Sequence, residues 1–127
     1  MTKKIIHTAQ APLPIGPYSQ AVQSGNMLFV SGQIAIDPAT NELISGDVKA
    51  EAVQVMKNLE QILAQAGYNF SDVVKTSIFL RDMADFTTVN EVYGARFNAN
   101  FPARETVAVS GLPKNVNVEI SVIAAKA

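Results

Sequence analysis

Apolar and polar residues alternate most regularly near the end of the chain, with a period of two. Apolar side chains occupy alternate positions through one stretch, at Val116, Val118, Ile120, Val122 and Ala124. The positions between them are mostly polar, which predicts a strand with one buried face. Residues 101–109 predict a second strand. A short turn at Pro113-Lys114-Asn115 separates the two, so we expect them to pair as a hairpin.

A helical period takes over between Asp47, a good N-cap, and Gly67, which is typical of the residue after a helix end. The apolar stripe of this predicted helix comprises Val48, Ala52, Val55, Met56, Leu59, Ile62, Leu63 and Ala66. We expect its other side to face water, with Lys49, Glu51, Gln54, Lys57, Asn58, Gln61 and Gln65.

Shorter strands are predicted over residues 5–8, 21–23, 27–33 and 72–82, with a polar turn region over residues 37–46. In the strand over residues 72–82, one face should carry Val74, Thr76, Ile78 and Leu80, and the other Val73, Lys75, Ser77 and Phe79. We expect a second helix to begin at Asp85 or Thr87. The side chains that it should direct towards the core are Phe86, Val89, Val92, Tyr93 and Phe97.

This order of elements predicts one α+β domain over residues 1–127, with a mixed β-sheet and two helices packed on one face. Two helices can cover only one face of the sheet. The other should carry Phe29 or Leu28 together with Phe79 and Val73, amid polar residues. Because a small domain rarely leaves such a face in water, we expect a homo-oligomer to cover it, with Arg104 and Glu119 lining clefts between subunits.

Composition narrows the function classes. The 127 residues carry a net charge of -1 and no basic block, so we expect no nucleic-acid partner. No apolar run approaches the roughly 18 residues of a membrane span, and the first residues lack the apolar run of a signal peptide. The absence of cysteine excludes thiol catalysis and is consistent with a cytoplasmic location. A lone histidine, His7, does not indicate a metal site.

Two features are candidates for chemistry. Arg104 and Glu119 would approach each other at one end of the predicted hairpin, either as a surface salt bridge or as a site in which the guanidinium holds an anion and the carboxylate activates water. Tyr18 ends a rigid loop containing Pro12, Pro14, Gly16 and Pro17. This tyrosine is either a pocket wall or an ordinary packed side chain.

Several short motifs resemble, in order, those of the RidA/YjgF family of reactive-intermediate (enamine/imine) deaminases. They are Gly16-Pro17-Tyr18-Ser19-Gln20-Ala21, Ser31-Gly32-Gln33, Val89-Asn90, Pro102-Ala103-Arg104 and Val118-Glu119-Ile120. The resemblance spans essentially the whole chain. It implies a chorismate-mutase-like homotrimer with sites between subunits and with no metal or cofactor. The implied reaction is hydrolysis of 2-aminoacrylate or 2-aminocrotonate, or their imine tautomers, to 2-oxo acids and ammonia. Pyridoxal-phosphate-dependent serine and threonine dehydratases release these intermediates.

The resemblance also implies residue roles. Arg104 would hold the substrate carboxylate, and Glu119 would orient water and take its proton. Tyr18 would close the pocket, and backbone groups near Ser31 and Gly32 would contact the substrate.

Asn90 is a candidate for the pocket wall, and Thr106 for a polar group that faces the ligand. Many members of the family have Ser-Cys after the arginine, whereas this chain has Glu105-Thr106. We expect Glu105 to alternate away from the cleft. The segment from Tyr93 to Pro102 also looks shorter than usual.

Two other functions remain open. Glu105 favours a non-catalytic trimeric protein that binds small carboxylates in the Arg104 cleft, whereas the retention of Arg104 and Glu119 together favours the enzyme. Ribonuclease activity, attributed to some relatives, is disfavoured by the near-neutral charge and single histidine.

Overall fold

The computed structural model of the protein describes residues 2–127 and shows an α+β fold. Six strands form the main sheet: β1 (Lys4–Ile6), β2 (Ala21–Ser24), β3 (Met27–Gln33), β6 (Val73–Leu80), β7 (Ala103–Ala108) and β8 (Val118–Ala125). A separate two-stranded ribbon, β4 (Ile36–Asp37) with β5 (Glu42–Leu43), lies within the predicted turn region. The helices are α1 (Val48–Gln65) and α2 (Phe86–Gly94).

The order of the strands in the main sheet is β1-β2-β3-β8-β6-β7, and every pair is antiparallel except β6 with β7. The predicted hairpin between β7 and β8 is therefore wrong, because β6 lies between them. Both ends of the connecting segment bond to the end of β6. The amide of Val109 donates to the carbonyl of Leu80 at 2.9 Å, and the amide of Arg81 donates to the carbonyl of Asn117 at 3.0 Å.

Both helices pack on one face of the sheet, as predicted. The apolar stripe of α1 is buried against β3 and β8, and Val89 and Tyr93 of α2 complete the same core. The predicted start and end of α1 are confirmed. The side chain of Asp47 accepts from the amide of Lys49 at 3.0 Å, and Gly67 has a φ of 83°.

Two residues on the predicted wet side of α1 are in fact buried. Glu51 and Asn58 are only 2% and 1% exposed. Each can be buried because its side chain makes hydrogen bonds to a neighbouring segment of the chain. The side-chain amide of Asn58 donates to the carbonyls of Ile34, at 3.2 Å, and of Ile36, at 3.0 Å. A polar residue type alone could not reveal these contacts.

The start of β6 also differs from the prediction. Thr76, Ile78 and Leu80 face the core as expected, but Val73 is buried and Val74 is exposed. The register between β6 and β8 shifts between Val73 and Lys75, which is a β-bulge. One extra residue reverses which side chains face the core before it.

Asp85, one of the two alternatives predicted, is the N-cap residue of α2. Its side chain, however, makes no capping hydrogen bond. The capping side chain belongs to Asp82, which accepts from the amide of Ala84 at 2.9 Å and begins the short 3₁₀ turn Met83–Asp85.

The sheet face away from the helices is partly apolar. Of the two alternatives predicted, Phe29 lies on this open face and is 44% exposed, whereas Leu28 is in the core. Ile5 and Val107 are also exposed. A partner covering this face stays a prediction. Neither helix formed by residues 2–127 is both long and apolar enough to cross a membrane.

We predict that Asn58→Ala lowers the free energy of unfolding by about 1–2 kcal/mol, because the carbonyls of Ile34 and Ile36 each lose a hydrogen bond while that of Ile34 keeps the amide of Ile36 as a donor. Gln54→Ala is the matched control on the same helix. Gln54 is less buried and loses a single bond, to the Asn58 side chain, so the cost should stay below about 1 kcal/mol. Equal losses of stability in the two variants, measured by urea denaturation, would contradict this role of Asn58.

Candidate functional site

A pocket of about 350 Å³ opens beside the end of β3 and the start of β8, and it brings together four of the predicted site residues. Its lining includes Tyr18, Ser31, Gly32 and Glu119. The remaining wall is mostly apolar and is formed by Pro12, Leu13, Ile15, Ile34, Ile36 and Pro113, with Gln20 and Gln33. One carboxylate therefore lies in a largely apolar concavity, an arrangement typical of small-molecule sites.

Glu119 lies on β8 between Val118 and Ile120, whose side chains are buried in the core. Its carboxylate therefore points to the open face. Among residues 2–127, no hydrogen-bond donor or cation pairs with it, and burial raises its pKa. Burial without a hydrogen-bond or ionic partner leaves this carboxyl group a better proton acceptor than an ordinary one.

Glycine at position 32 makes room for the close approach of this carboxylate. A Cβ atom built on Gly32 would lie 2.3 Å from Oε2 and 2.8 Å from Cδ of Glu119. Any side chain at position 32 would therefore displace Glu119. The sequence comparison with family motifs identified Gly32 as a site residue, but the reason is clear only from the packing of β3 against β8.

The loop that carries Tyr18 is held by Gln20, which the sequence reasoning did not single out. The Gln20 side chain accepts from the amide of Thr8 at 2.7 Å. It donates to the carbonyls of Thr8 and Pro12, each at 2.9 Å. The position of Gln20 within the Gly-Pro-Tyr-Ser-Gln motif was the available signal, but its burial could not be read from residue type.

Ser31 supports the same loop. Its amide donates to the carbonyl of Gln20 at 2.9 Å, and its hydroxyl donates to the carbonyl of Ser19 at 2.6 Å. Both donors of Ser31 are thus engaged in holding the loop. Tyr18 itself is half exposed at the pocket mouth, where its hydroxyl accepts from the amide of Ile15 at 3.3 Å.

Arg104 lies elsewhere, in a second depression between β7 and α2. Its carbon Cζ is 5.2 Å from the ring centroid of Tyr93 and 5.8 Å from that of Phe86. Its Nη1 donates to Oδ1 of Asn90 at 2.7 Å. This depression of about 490 Å³ is lined by Asn90, Tyr93, Gly94, Phe101, Pro102 and Arg104. The guanidinium is therefore held in place by aromatic rings while it remains accessible.

Arg104 and Glu119 do not meet within one chain, contrary to the expectation from a hairpin. Arg104 pairs in register with the buried Thr76, so it lies on the helix side of the sheet, whereas Glu119 pairs with Phe79 on the open side. The intervening β6 also separates their strands by about 10 Å, two strand spacings. Within one chain, therefore, Arg104 does not reach the pocket of Glu119.

Glu105 is turned away from Arg104, as its alternation along β7 predicted. The Nζ atom of Lys75 lies 2.8 Å from its Oε1, and the Ser77 hydroxyl donates to its Oε2. These two partners hold the pKa of Glu105 below its usual value. The negative charge of Glu105 is thus paired on the open face, and it does not oppose an anion bound by Arg104.

Thr106 lies on the helix side of β7, in register with Ile78. Its hydroxyl oxygen is buried and has no hydrogen-bond partner among residues 2–127. Across residues 2–127, no three His, Asp or Glu side chains are arranged to bind a metal ion.

Comparison with known proteins places this geometry in a family. The family model described as endoribonuclease L-PSP matches residues 8–126. A RutC family protein of Pyrococcus horikoshii is 52% identical, over 98% of each chain. The human 2-iminobutanoate/2-iminopropanoate deaminase is 48% identical, over 98% of this chain and 90% of its own. The crystal structure of TdcF from E. coli with bound serine superposes with a TM-score of 0.92 at 42% identity, over 98% of this chain and 99% of that one.

We predict that Gly32→Ala lowers the free energy of unfolding by up to about 1 kcal/mol, because the added methyl group must displace the Glu119 carboxylate, the end of a flexible side chain. Adding Glu119→Ala to the same chain should restore most of that loss. Gly94→Ala is the control, since a Cβ atom there meets nothing within 4 Å. The three variants are compared by urea denaturation, and a Gly32→Ala defect that survives removal of the Glu119 side chain would refute the collision.

We predict opposite pH dependences for two carboxylates. The pKa of Glu119 is raised in the folded protein. Its contribution to stability, relative to that of the charged group, is therefore fully present below the ordinary pKa of 4.5 and is lost as the pH rises through the folded pKa. Glu119→Gln should therefore be more stable than the original protein at pH 7, and the difference should vanish in acid.

Glu105, whose pKa is lowered, should show the opposite dependence of stability on pH. Its contribution is present above 4.5 and is lost as pH falls through the folded pKa. Glu105→Gln should therefore be less stable than the original protein at pH 7. Unfolding free energies measured from pH 3 to 7 test both signs, and the same sign for both variants would contradict the assignment.

Proposed function

Because this chain belongs to the YjgF/RidA family, we propose that it is a 2-iminobutanoate/2-iminopropanoate deaminase. The observation that carries the proposal is the unpaired, half-buried carboxylate of Glu119 against Gly32 in a mostly apolar pocket. The human relative that bears this name is 48% identical over nearly the whole chain.

The proposed enzyme is a homotrimer whose sites lie between subunits. In one chain, Arg104 and Glu119 lie on opposite faces of the sheet, and the open face exposes Phe29, Ile5 and Val107. A neighbouring copy packed on that face would bury these side chains. It would also bring the edge strand β7, and with it Arg104, towards the Glu119 pocket of the first copy.

Arg104 would bind the substrate carboxylate through its guanidinium, whose fork of donors matches a carboxylate in two parallel hydrogen bonds. The contacts with Asn90 and the Tyr93 ring orient it before the substrate arrives. Such preorganisation lowers the entropy cost of placing the imine carbon next to water. Thr106, whose hydroxyl lacks a partner, is a second candidate for ligand contact.

Glu119 would act as the base. A protonated imine is already electrophilic, so water can add to C2 while the Glu119 carboxylate takes a proton from it. The same carboxyl then returns that proton to nitrogen. As the C–N bond breaks and ammonia leaves, the remaining hydroxyl proton passes to the Glu119 carboxylate and on to solvent, and the carbonyl forms. The balance is one protonated 2-imino acid and one water giving one 2-oxo acid, one ammonia and one proton. This scheme uses no cofactor, and Tyr18 would restrict access of bulk water.

A second candidate is a non-catalytic trimer that binds small carboxylates, and the serine bound to the related TdcF favours it. The charge of Glu105 does not support this alternative, because Lys75 and Ser77 engage it on the other side of the sheet from Arg104. Turnover separates the two candidates.

We do not propose ribonuclease activity, although the matching family model carries that description. The net charge of -1 offers little attraction for a polyanion, and the single histidine, His7, lies outside the pocket lining.

The proposed deaminase would remove reactive imines that dehydratases release, a form of metabolite damage control, and would do so in the cytoplasm.

The deciding experiment couples a threonine dehydratase to the purified protein and traps the remaining imine with semicarbazide. Added protein should speed imine loss. Arg104→Ala should lower kcat/KM by roughly 10²-fold or more through lost positioning, and Glu119→Gln should lower kcat by roughly 10²–10⁴-fold. Ligand binding without faster imine loss would favour the binder.

Mixing two inactive variants tests the location of the site. If each site takes Arg104 from one subunit and Glu119 from another, refolding Arg104→Ala together with Glu119→Gln should restore activity at roughly a quarter of the sites. The control is each variant refolded alone. Absence of recovery in a mixture shown by native mass spectrometry to contain mixed trimers would exclude a shared site.

A further inference from the structure

The proposed chemistry does not use Glu51, the most deeply buried carboxylate of the chain. It lies in the first turn of α1 and is 2% exposed. No lysine or arginine pairs with it within residues 2–127. A carboxylate tolerates this position because the N-terminus of a helix carries partial positive charge and because its oxygens accept hydrogen bonds. Such a group is costly to bury and therefore invites a functional explanation.

Both donors on Glu51 come from a single residue, Asn117. The Asn117 amide donates to Oε1 at 3.1 Å, and its side-chain nitrogen donates to Oε2. The carbonyl of Asn117 accepts from the amide of Arg81 at 3.0 Å. The residue is thus fixed through its amide, its side chain and its carbonyl, between the start of α1 and the end of β6.

The chain just before Asn117 contains two residues in a left-handed conformation. Lys114 and Asn115 have φ angles of 55° and 57°, a conformation that costs a lysine roughly 1–2 kcal/mol and that asparagine adopts more readily. Two such residues in succession persist only if neighbouring contacts hold them. Glu119 follows two residues after Asn117, at the start of β8.

We propose that Glu51 is a positioning residue that sets the place of the Glu119 carboxylate by clamping Asn117. Glu51 does not line the Glu119 pocket, so it would act only through the backbone of residues 115–119. Without the clamp, the left-handed segment can relax and the first residues of β8 can shift. A shift of about 1 Å at a reacting group can cost roughly 10²-fold in rate. The catalytic part of this inference rests on the proposed deaminase function.

Amide hydrogen exchange tests the clamp without reference to activity. In Glu51→Ala, the amides of residues 117–119 should exchange at least about tenfold faster, because the Asn117 donors lose their acceptor. Glu51→Gln should retain protection, since its oxygen can accept from the Asn117 amide while the Asn117 carboxamide rotates to accept from its nitrogen. Glu60→Ala is the control, with a carboxylate lost from the surface of the same helix, where it pairs with Arg96.

Steady-state kinetics test the consequence. Glu51→Ala should lower kcat about tenfold or more and leave KM within about threefold, because Arg104 binds the substrate from another strand. Glu51→Gln and Glu60→Ala should leave kcat nearly unchanged. In a Glu119→Gln background, Glu51→Ala should have little further effect, since two residues acting through one step are not additive.

The outcomes test the Glu51–Asn117 clamp, its link to Glu119 and the proposed deaminase function separately. Unchanged exchange at residues 117–119 in Glu51→Ala overturns the clamp, whatever the activity. Faster exchange with unchanged kcat, or an equal loss of kcat in the Glu119→Gln background, overturns the link to Glu119. An original protein that does not accelerate imine loss defeats the proposed function, while the exchange result still decides the clamp.

Discussion

The position of β8 between β3 and β6 is the constraint on which the rest of the structure depends. Its alternation places Val118, Ile120, Val122 and Ala124 in the core beneath α1, and every other side chain on the open face. A shift of one residue in its register would exchange the two sets and put Glu119 into the core. The burial of four apolar side chains therefore also fixes which face carries the candidate base.

Close backbone contact then turns that position into a pocket. Gly32 on β3 leaves no side chain between its strand and the Glu119 carboxylate, and the bonds from Gln20 and Ser31 hold the proline-rich loop beside it. The hydrogen-bond donors of Gln20 and Ser31 bond to the backbone of this loop and its neighbours, whereas no donor within residues 2–127 bonds to Glu119. The pocket thus combines a well-held wall with one unpaired carboxylate, whose pKa is raised by burial.

The polar groups that are fully buried serve the same arrangement. Asn58 ties α1 to Ile34 and Ile36 of the pocket wall, and Glu51 ties α1 to Asn117. Both lie on α1, outside its apolar stripe. Buried polar contacts of this kind specify a particular placement of neighbouring segments, beyond what apolar packing requires.

The sequence by itself determined the elements and the fold class, because periods of two and 3.6 residues report which side chains must be buried. It also determined the family, since several motifs occur in order along one chain. It could not determine that β6 separates β7 from β8, because adjacency in the chain does not specify pairing across a sheet. The burial of Glu51 and Asn58, the bulge near Val74 and the separation of Arg104 from Glu119 likewise depended on long-range contacts. Residue type alone does not encode such contacts, and only the tertiary structure decided them.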